Sequence, residues 1–262
     1  MAIQKTEAFV LRARPLRTSS LLVTFFSRDF GKLKGLAKGV RKEGIVRPST
    51  FEPFTLLEIV FYEKVHSEIH LISEAAVLES YGGLRKNLST LATAYYLAEL
   101  TDELTELQDP HRSIFELLQT LFQLLPSLPP SLLARFFEVR LLSEIGLLPP
   151  MDHCLICGRA NSPDKVYFSP RQGTVLCERC RQRSRDSKPL GRKGVEAIRL
   201  FMHGEFRKVV QYPMSEETGK EISEVVEKFL ADRLARPLKT RRFLKGVEAL
   251  RQNANSLKEN KL

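Results

Sequence analysis

The 262-residue chain lacks several features that would assign it to a common class of protein. No apolar stretch approaches the roughly 20 residues that a membrane span needs. The N-terminus lacks the basic-then-apolar pattern of a signal peptide. We therefore expect a cytoplasmic protein that makes no contact with a membrane. Cysteine is scarce, with four residues in the chain, and in that compartment cysteines are metal ligands more often than disulfides.

Recognisable catalytic motifs are also missing. The segment GKLKGLAKG contains glycines and lysines, but not in the order of a phosphate-binding loop, which argues against an ATPase. The five histidines are scattered, and no His-x-Glu pair of a zinc deaminase precedes the cysteines. A group of acidic residues has the spacing of a solvated helix face rather than of a two-metal nuclease site. These residues are Glu99, Asp102, Glu103 and Glu106. We therefore expect no catalytic residues and no enzymatic activity.

The charges that are present are segregated along the chain. Residues 1–50 carry 11 Lys and Arg against 3 Asp and Glu, whereas residues 51–110 carry 3 against 11. Residues 151–210 are basic again, with 13 against 6. Separate basic and acidic blocks indicate separate surfaces with separate functions.

The most informative segment is residues 5–42, where strand-like apolar runs alternate with stretches rich in arginine and lysine. Lys32, Lys34 and Lys38 would lie on one face of a strand, because side chains alternate with period two. Glycines recur between these lysines, at Gly31, Gly35 and Gly39. We expect them to clear the path of an approaching ligand backbone. An electropositive sheet face suits a phosphate backbone, so the segment favours nucleic-acid binding over a surface that only maintains solubility.

The hydrophobic periodicity predicts an α+β protein of three domains. Residues 1–80 contain about five short strands, the size of an OB-fold barrel. Residues 81–150 and 182–262 have the period of helices and predict a helical domain. Residues 151–181 form a cysteine module inserted into it. The first predicted apolar helix stripe consists of Leu84, Leu88, Leu91 and Tyr95.

The four cysteines have the spacing of a zinc site, Cys154-x2-Cys157-x19-Cys177-x2-Cys180. Two CxxC turns can each place two sulfurs on one side of a knuckle, and two knuckles complete a tetrahedron around Zn²⁺. Four thiolates leave no position for a substrate, so we expect a structural zinc ion. His153 is an alternative ligand, but we interpret it as a surface residue.

Two further groups of side chains leave alternatives open. An arginine run follows the second knuckle, at Arg179, Arg181, Arg183 and Arg185. It extends a nucleic-acid surface or is simply a solvated turn. Three phenylalanines are candidates for stacking on bases, namely Phe25, Phe26 and Phe30. Core packing is the expected use of at least two of them.

Several blocks of this sequence resemble, in the same order, those of the bacterial recombination mediator family RecO. The resemblance covers nearly the whole chain and is carried by TEAFVLRARPLRTSSLLVTFFSRDFGKLKGLAKGVRK near the N-terminus, PFTLLEIVFY at 53–62, LATAYYLAEL at 91–100, FFEVRLLSEIGLLPPMDHCLICG at 136–158 and RPLKTRRFL at 236–244.

The resemblance implies an OB-fold, a helical domain and a zinc-binding insert. It also implies a cytoplasmic, nucleoid-associated protein that binds single- and double-stranded DNA and anneals complementary strands without ATP hydrolysis. Members of the family act with RecR to load the recombinase RecA onto DNA coated by single-strand binding protein. The basic surface of the family's OB-fold corresponds here to Arg14, Arg17, Lys32, Lys34, Lys38, Arg41 and Lys42. The segment at 236–244 could serve DNA or the acidic tail of single-strand binding protein.

Two other classes of protein remain possible from the sequence. One is an RNA-binding OB-fold protein, which preferential RNA binding would reveal. The other is a metal-dependent nucleic-acid enzyme, which divalent-metal-dependent cleavage would reveal.

Overall fold

A computed structural model describes residues 2–16, 19–40, 48–63, 66–162, 164–234, 236–244 and 246–247. The strands are β1 (Ile3–Leu16), β2 (Ser20–Ser27), β3 (Gly31–Ala37), β4 (Leu56–Tyr62), β5 (Ile69–Glu79), β6 (Lys165–Ser169), β7 (Thr174–Leu176) and β8 (Lys188–Gly191). The helices are α1 (Leu88–Leu104), α2 (Arg112–Leu124), α3 (Pro130–Glu144), α4 (Arg192–His203), α5 (Phe206–Gln211) and α6 (Glu216–Arg233). Among the described residues, no helix is long and apolar enough to traverse a bilayer.

Strands β1 to β5 form a closed barrel in the order β1-β2-β3-β5-β4, with β4 returning to pair with β1. Only β3 and β5 pair in parallel; the other pairings are antiparallel. The period-two pattern of β3 separates an inner from an outer face of the barrel. Leu33 and Ala37 are buried, while Lys32 and Lys34 lie on the opposite face. The predicted OB-like barrel is confirmed.

A β-bulge in β1 changes which side chains point outward. The register of β1 against β2 shifts between Val10 and Arg12. Val10 belongs to the barrel core and Ala13 packs against that core, so the inward positions move from even to odd residues. Arg12 and Arg14, which strict alternation from Val10 would point inward, are exposed instead.

Helices α1 and α2 belong to the same compact unit as the barrel, which comprises the described residues up to Pro130 and those from Leu238. An aromatic cluster joins α2 to the barrel: the ring of Phe9 lies 5.0 Å from that of Phe115 and 5.4 Å from that of Phe122. The predicted stripe on α1 is wrong, because Leu88 and Tyr95 are exposed. Six of the nine buried residues of α1 are Ala or Thr, which a search for large apolar residues at helical spacing does not detect.

The second compact unit, Ser131–Pro237, contains a three-stranded sheet in the order β7-β6-β8 and helices α3 to α6. Two arginines of α3 connect its elements. Arg135 forms an ion pair with the buried Glu138 and donates to Ser223 Oγ at 2.8 Å. Arg140 donates to the carbonyl oxygens of Phe201 and Gly204. The predicted division into three domains, at 1–80, 81–150 with 182–262, and 151–181, stays a prediction.

Candidate nucleic-acid interface and metal centre

The outer face of β1, β2 and β3 carries a group of cations in one sheet. Thr24 on β2 pairs in register with Arg12 on one side and with Lys34 on the other, so the three lie in one row across the sheet. Arg14 is exposed two residues further along β1, and Lys38 is exposed directly after β3 ends. This barrel face, defined by Arg12, Arg14, Lys34 and Lys38, is the candidate nucleic-acid interface. The predicted Arg17, Arg41 and Lys42 lie outside the described residues.

Carboxylates of the protein itself contact part of this face. Asp102 at the end of α1 accepts from Arg12, with Nη2 and Oδ2 3.1 Å apart. Lys32 Nζ donates to the Asp102 backbone oxygen and lies 3.8 Å from its carboxylate. Lys34 Nζ is 2.7 Å from Glu68 Oε2, and this hydrogen bond and charge lower the pKa of Glu68.

The predicted lysines therefore differ in accessibility. The side chain of Lys32 is only 13% exposed, against 34% for that of Lys34. We infer that Lys32 mainly connects the barrel to α1, whereas Lys34, Lys38 and Arg14 are available to a ligand. Arg12 is not among the predicted DNA-binding residues; its place on this face follows from its pairing with Thr24 on β2, which the sequence of β1 alone does not show.

The predicted role of the glycines in admitting a ligand backbone is wrong for Gly31 and Gly35 and stays a prediction for Gly39, where a Cβ would meet nothing within 4 Å. A Cβ on Gly31 would lie 2.0 Å from the backbone oxygen of Asp109, and the residue has φ +63°. A Cβ on Gly35 would meet the side chains of Ile72 and Phe25 at 2.6–2.8 Å. These two glycines allow close packing inside the protein rather than access from outside.

The phenylalanines suggested for base stacking are also internal. Phe25 and Phe26 are fully buried. Phe30 packs edge-on against Phe61, with ring centroids 5.4 Å apart. The alternative of core packing accounts for all three, so none of these rings is available on the barrel face to stack on a base.

The four cysteines converge as their spacing predicts. The Sγ atoms of Cys154, Cys157, Cys177 and Cys180 all lie within 4.8 Å of one another. The Cys157 and Cys177 sulfurs are 3.9 Å apart, close to the edge of about 3.8 Å that a tetrahedron with metal–sulfur bonds of about 2.3 Å would have. A disulfide would need about 2.05 Å. His153 is exposed and is not one of the converging side chains.

Backbone hydrogen bonds hold each CxxC turn in place. Gly158 N donates to Cys154 O at 2.8 Å, with Gly158 at φ +70°, and Cys180 N donates to Cys177 O at 3.0 Å. Burial alone would raise the pKa of the Cys154 thiol, but hydrogen bonds led by those from backbone groups of Cys177 and Cys157 lower that pKa to about 6. Burial and the neighbouring sulfurs instead raise the pKa of Cys180 to about 12, so the thiols of the metal-free cluster do not ionise alike. A bound metal ion would favour the thiolate form of its cysteine ligands.

Comparison with known protein families assigns both halves of the chain. The model described as Recombination protein O N terminal matches residues 1–81, and that described as Recombination protein O C terminal matches residues 85–242. The chain belongs to the RecO family.

Full-length relatives agree with this assignment. A protein of Syntrophus aciditrophicus (strain SB) is 30% identical over 253 residues, which cover 95% of this chain and 98% of the relative. A protein of Anaeromyxobacter sp. (strain K) is 32% identical over 247 residues, covering 94% and 97% respectively. Both are named DNA repair protein RecO. The family thus connects the chain to DNA repair and recombination.

The acidic residues on α1 have partners rather than forming a solvated face. Glu99 accepts hydrogen bonds from the backbone N–H groups of Lys239 and Thr240 at 3.1 and 2.9 Å. Asp102 contacts Arg12 and Lys32, as described above. The expectation of a solvated face is wrong for these two carboxylates. Long-range pairing of this kind has no signal in local spacing, which is why the sequence did not indicate it.

Proposed function

We propose that the protein is a DNA-binding recombination mediator that anneals complementary strands and helps load the recombinase RecA onto single-stranded DNA coated by single-strand binding protein. Membership of the RecO family supports the biological role. The barrel face supports the mode of binding, because Arg14, Lys34 and Lys38 project outward from a rigid closed sheet. A rigid array of cations binds the phosphate backbone of DNA without reading its sequence.

Annealing by such a protein requires no chemical step. Two complementary strands repel each other through their phosphates, and base pairing is favourable once they meet. Cations that neutralise both strands lower the barrier to encounter, while pairing supplies the driving force. Binding should then weaken steeply with salt, with a log–log slope of roughly −0.7 for each phosphate contact on a single strand. ATP hydrolysis has no part in this scheme.

We propose Zn²⁺ as the ion held by Cys154, Cys157, Cys177 and Cys180. The donor set fits, since four sulfurs at tetrahedral separation favour Zn²⁺ over oxygen-seeking cations. When bound, the ion supplies folding energy and cross-links the two CxxC turns. All four coordination positions are taken by the protein, so the proposal assigns this centre a structural role and the protein no catalytic activity.

The partners in this proposal are DNA, single-strand binding protein, RecR and RecA. They follow from the activity that the RecO family resemblance implies. A mediator must act on DNA that is already coated, so the test has to use coated strands. The protein would act in the cytoplasm, at the nucleoid.

The decisive experiment is ATP-free annealing of complementary oligonucleotides coated by single-strand binding protein, across a salt series. We expect the protein to accelerate annealing at low salt and to lose this effect as salt rises. The triple variant Arg14→Ala/Lys34→Ala/Lys38→Ala should bind with a salt slope shallower by about 2, from three lost contacts, and should anneal more slowly.

A matched control removes three cations from elsewhere in the same unit, as Lys5→Ala/Arg85→Ala/Arg112→Ala. Each of these cations lies outside the barrel face defined above, so the control should retain the wild-type slope. No acceleration by the folded, metal-loaded protein would contradict the proposal. Stronger binding to RNA, or cleavage that depends on a divalent metal, would favour the two rival classes instead.

A further inference from the structure

The first CxxC turn exposes an apolar tip. Leu155 and Ile156, the two residues between Cys154 and Cys157, are 49% and 42% exposed. Leu155 N donates to Val175 O at 2.9 Å, which fixes the turn against the middle of β7. The tip is therefore held in position while its two large apolar side chains face solvent.

The carboxylates around the metal centre are all engaged within their own unit. The pairs are Asp152 with Arg199, Asp164 with Arg192, Glu178 with Arg181 and Tyr167, and Asp186 with Ser169, Ser184 and the backbone N–H of Arg171. The hydroxyls and this N–H outweigh burial and lower the pKa of Asp186, so it is ionised at neutral pH. No acidic group of residues 151–190 remains for the arginines beside the turns.

Among the exposed arginines that form no carboxylate contact in the described residues, four lie in, beside or shortly after the CxxC turns. Two lie in or beside the CxxC turns, Arg159 next to Gly158 and Arg179 between Cys177 and Cys180. The other two, Arg183 and Arg185, follow the second turn. Because the four sulfurs lie within 4.8 Å of one another, the two CxxC turns meet at one point, with Arg159 beside the first turn and Arg179 within the second.

We propose that this knuckle surface, defined by Leu155, Ile156, Arg159, Arg179, Arg183 and Arg185, is a second binding site for single-stranded DNA. The guanidinium groups contact phosphates, for which their planar fork is well suited. Leu155 and Ile156 contact the faces of unpaired bases, which a duplex does not expose. Each of the two units then has its own phosphate-binding surface.

This inference rests on the proposed function and makes it more specific. Annealing needs two strands on one protein, and a single cationic face offers one path for a backbone. Residues 151–190 carry eight Lys and Arg against four Asp and Glu. This excess of positive charge argues for a nucleic acid as the ligand rather than a basic or neutral protein segment. Because the four carboxylates already contact other groups, they do not neutralise the exposed arginines beside the CxxC turns.

The test measures binding of the full-length protein to a fluorescent oligothymidylate, which forms no duplex, by anisotropy across a salt series. We expect Arg179→Gln/Arg183→Gln/Arg185→Gln to bind more weakly, with a salt slope shallower by about 2. Leu155→Ser/Ile156→Ser should weaken binding by the same factor at every salt concentration and leave the slope unchanged. Metal content per chain is measured for each variant to confirm that the turns are intact.

The matched control removes three exposed cations of the same unit that lie away from the CxxC turns in sequence, as Arg207→Gln/Lys208→Gln/Lys228→Gln. A wild-type slope in the arginine variant with full metal content would overturn the inference, and so would an equal loss in the control. These outcomes are independent of the proposed function, which fails only if the wild-type protein does not anneal coated strands. The same variants are titrated with a fluorescent acidic peptide. If the arginine variant bound oligothymidylate as wild type does but lost binding to the peptide, the surface would be a peptide site and the DNA site would be excluded.

Discussion

At the scale of single residues, Asp102 has two opposing effects on the molecule. Its carboxylate accepts from Arg12 and approaches Lys32, so it helps to hold α1 against the barrel. The same negative charge lies beside the candidate DNA surface, where it would repel the phosphates of a bound strand. On the proposed function, Asp102 would limit affinity for DNA while contributing to stability.

Replacing this carboxylate should therefore change stability and affinity in opposite directions. We expect Asp102→Asn to lower the free energy of unfolding by about 1 kcal/mol, the size of a partly exposed charged hydrogen bond. We expect affinity for single-stranded DNA to rise about twofold, because one repulsive charge near the phosphates is removed. Urea denaturation and anisotropy titration at low salt measure the two effects.

Glu106→Gln is the matched control for Asp102→Asn. It removes the same charge from an exposed position just beyond α1. We expect little change in stability from it, since no contact of its side chain anchors α1. If Asp102→Asn weakened DNA binding, Asp102 would instead be positioning Arg12 for the phosphates, and the proposed repulsion would be wrong.

At the scale of secondary-structure elements, alternation was sufficient to predict the barrel but not its details. Lys32 and Lys34 do share the outer face of β3, as period two requires. The bulge that turns Arg12 and Arg14 outward depends on pairing between β1 and β2, which a single strand does not encode. Likewise, the need for glycine at position 35 arises from Ile72 on β5, because a Cβ at that position would collide with the Ile72 side chain.

The cysteine centre was more predictable because its geometry is local. Each CxxC turn is closed by hydrogen bonds between neighbours in sequence, so spacing alone indicates where the sulfurs point. The apolar tip at Leu155 and Ile156 was not predicted. Exposure of a hydrophobic residue depends on what packs nearby, and the sequence gives no direct sign of it.

The junction between β5 and α1 contains a tyrosine with an unusual environment. Tyr81 has φ +46°, a left-handed conformation that is unfavourable for a residue with a Cβ. Glu79 accepts from the backbone N–H groups of Ser80 and Tyr81, both at 2.9 Å, which stabilises the turn. Burial, followed by the charges of Glu79 and Glu7, raises the pKa of Tyr81 to about 12.

This raised pKa predicts a specific loss of stability at high pH. The folded protein retains the phenol proton to higher pH than the unfolded chain, whose tyrosines have a pKa near 10. The contribution is therefore complete below about pH 10 and is lost as pH rises toward 12, by about 2–3 kcal/mol in all. Denaturation at pH 9 and at pH 11 should show a smaller decrease for Tyr81→Phe than for wild type.

Tyr95→Phe is the control for this measurement, since it removes a phenol from a residue that is 40% exposed. It should lose stability between the two pH values as wild type does. Equal pH dependence in wild type and Tyr81→Phe would mean that the Tyr81 phenol ionises as easily in the folded protein as in the unfolded chain.

At the scale of the whole molecule, the chain has two compact units with separate cores. The barrel core contains Phe25, Phe61 and their neighbours, whereas Cys154, Tyr167, Leu176 and Cys180 form a cluster in the second unit. A metal ion held by thiolates of the second unit would stabilise that unit directly. The barrel core, in contrast, contains no metal ligand.

Loss of the metal should therefore affect the two units unequally. We expect Cys177→Ser to retain little Zn²⁺ and to exchange amide hydrogens faster in peptides from residues 151–190, while peptides from β1 to β4 exchange as in wild type. His153→Ala should keep its zinc and the wild-type exchange pattern, because His153 is not one of the converging ligands. Full zinc content in the folded Cys177→Ser protein would refute the four-ligand centre. Equally accelerated exchange in the barrel would mean that the two units unfold as one, so that zinc bound in one unit stabilises the DNA-binding face of the other.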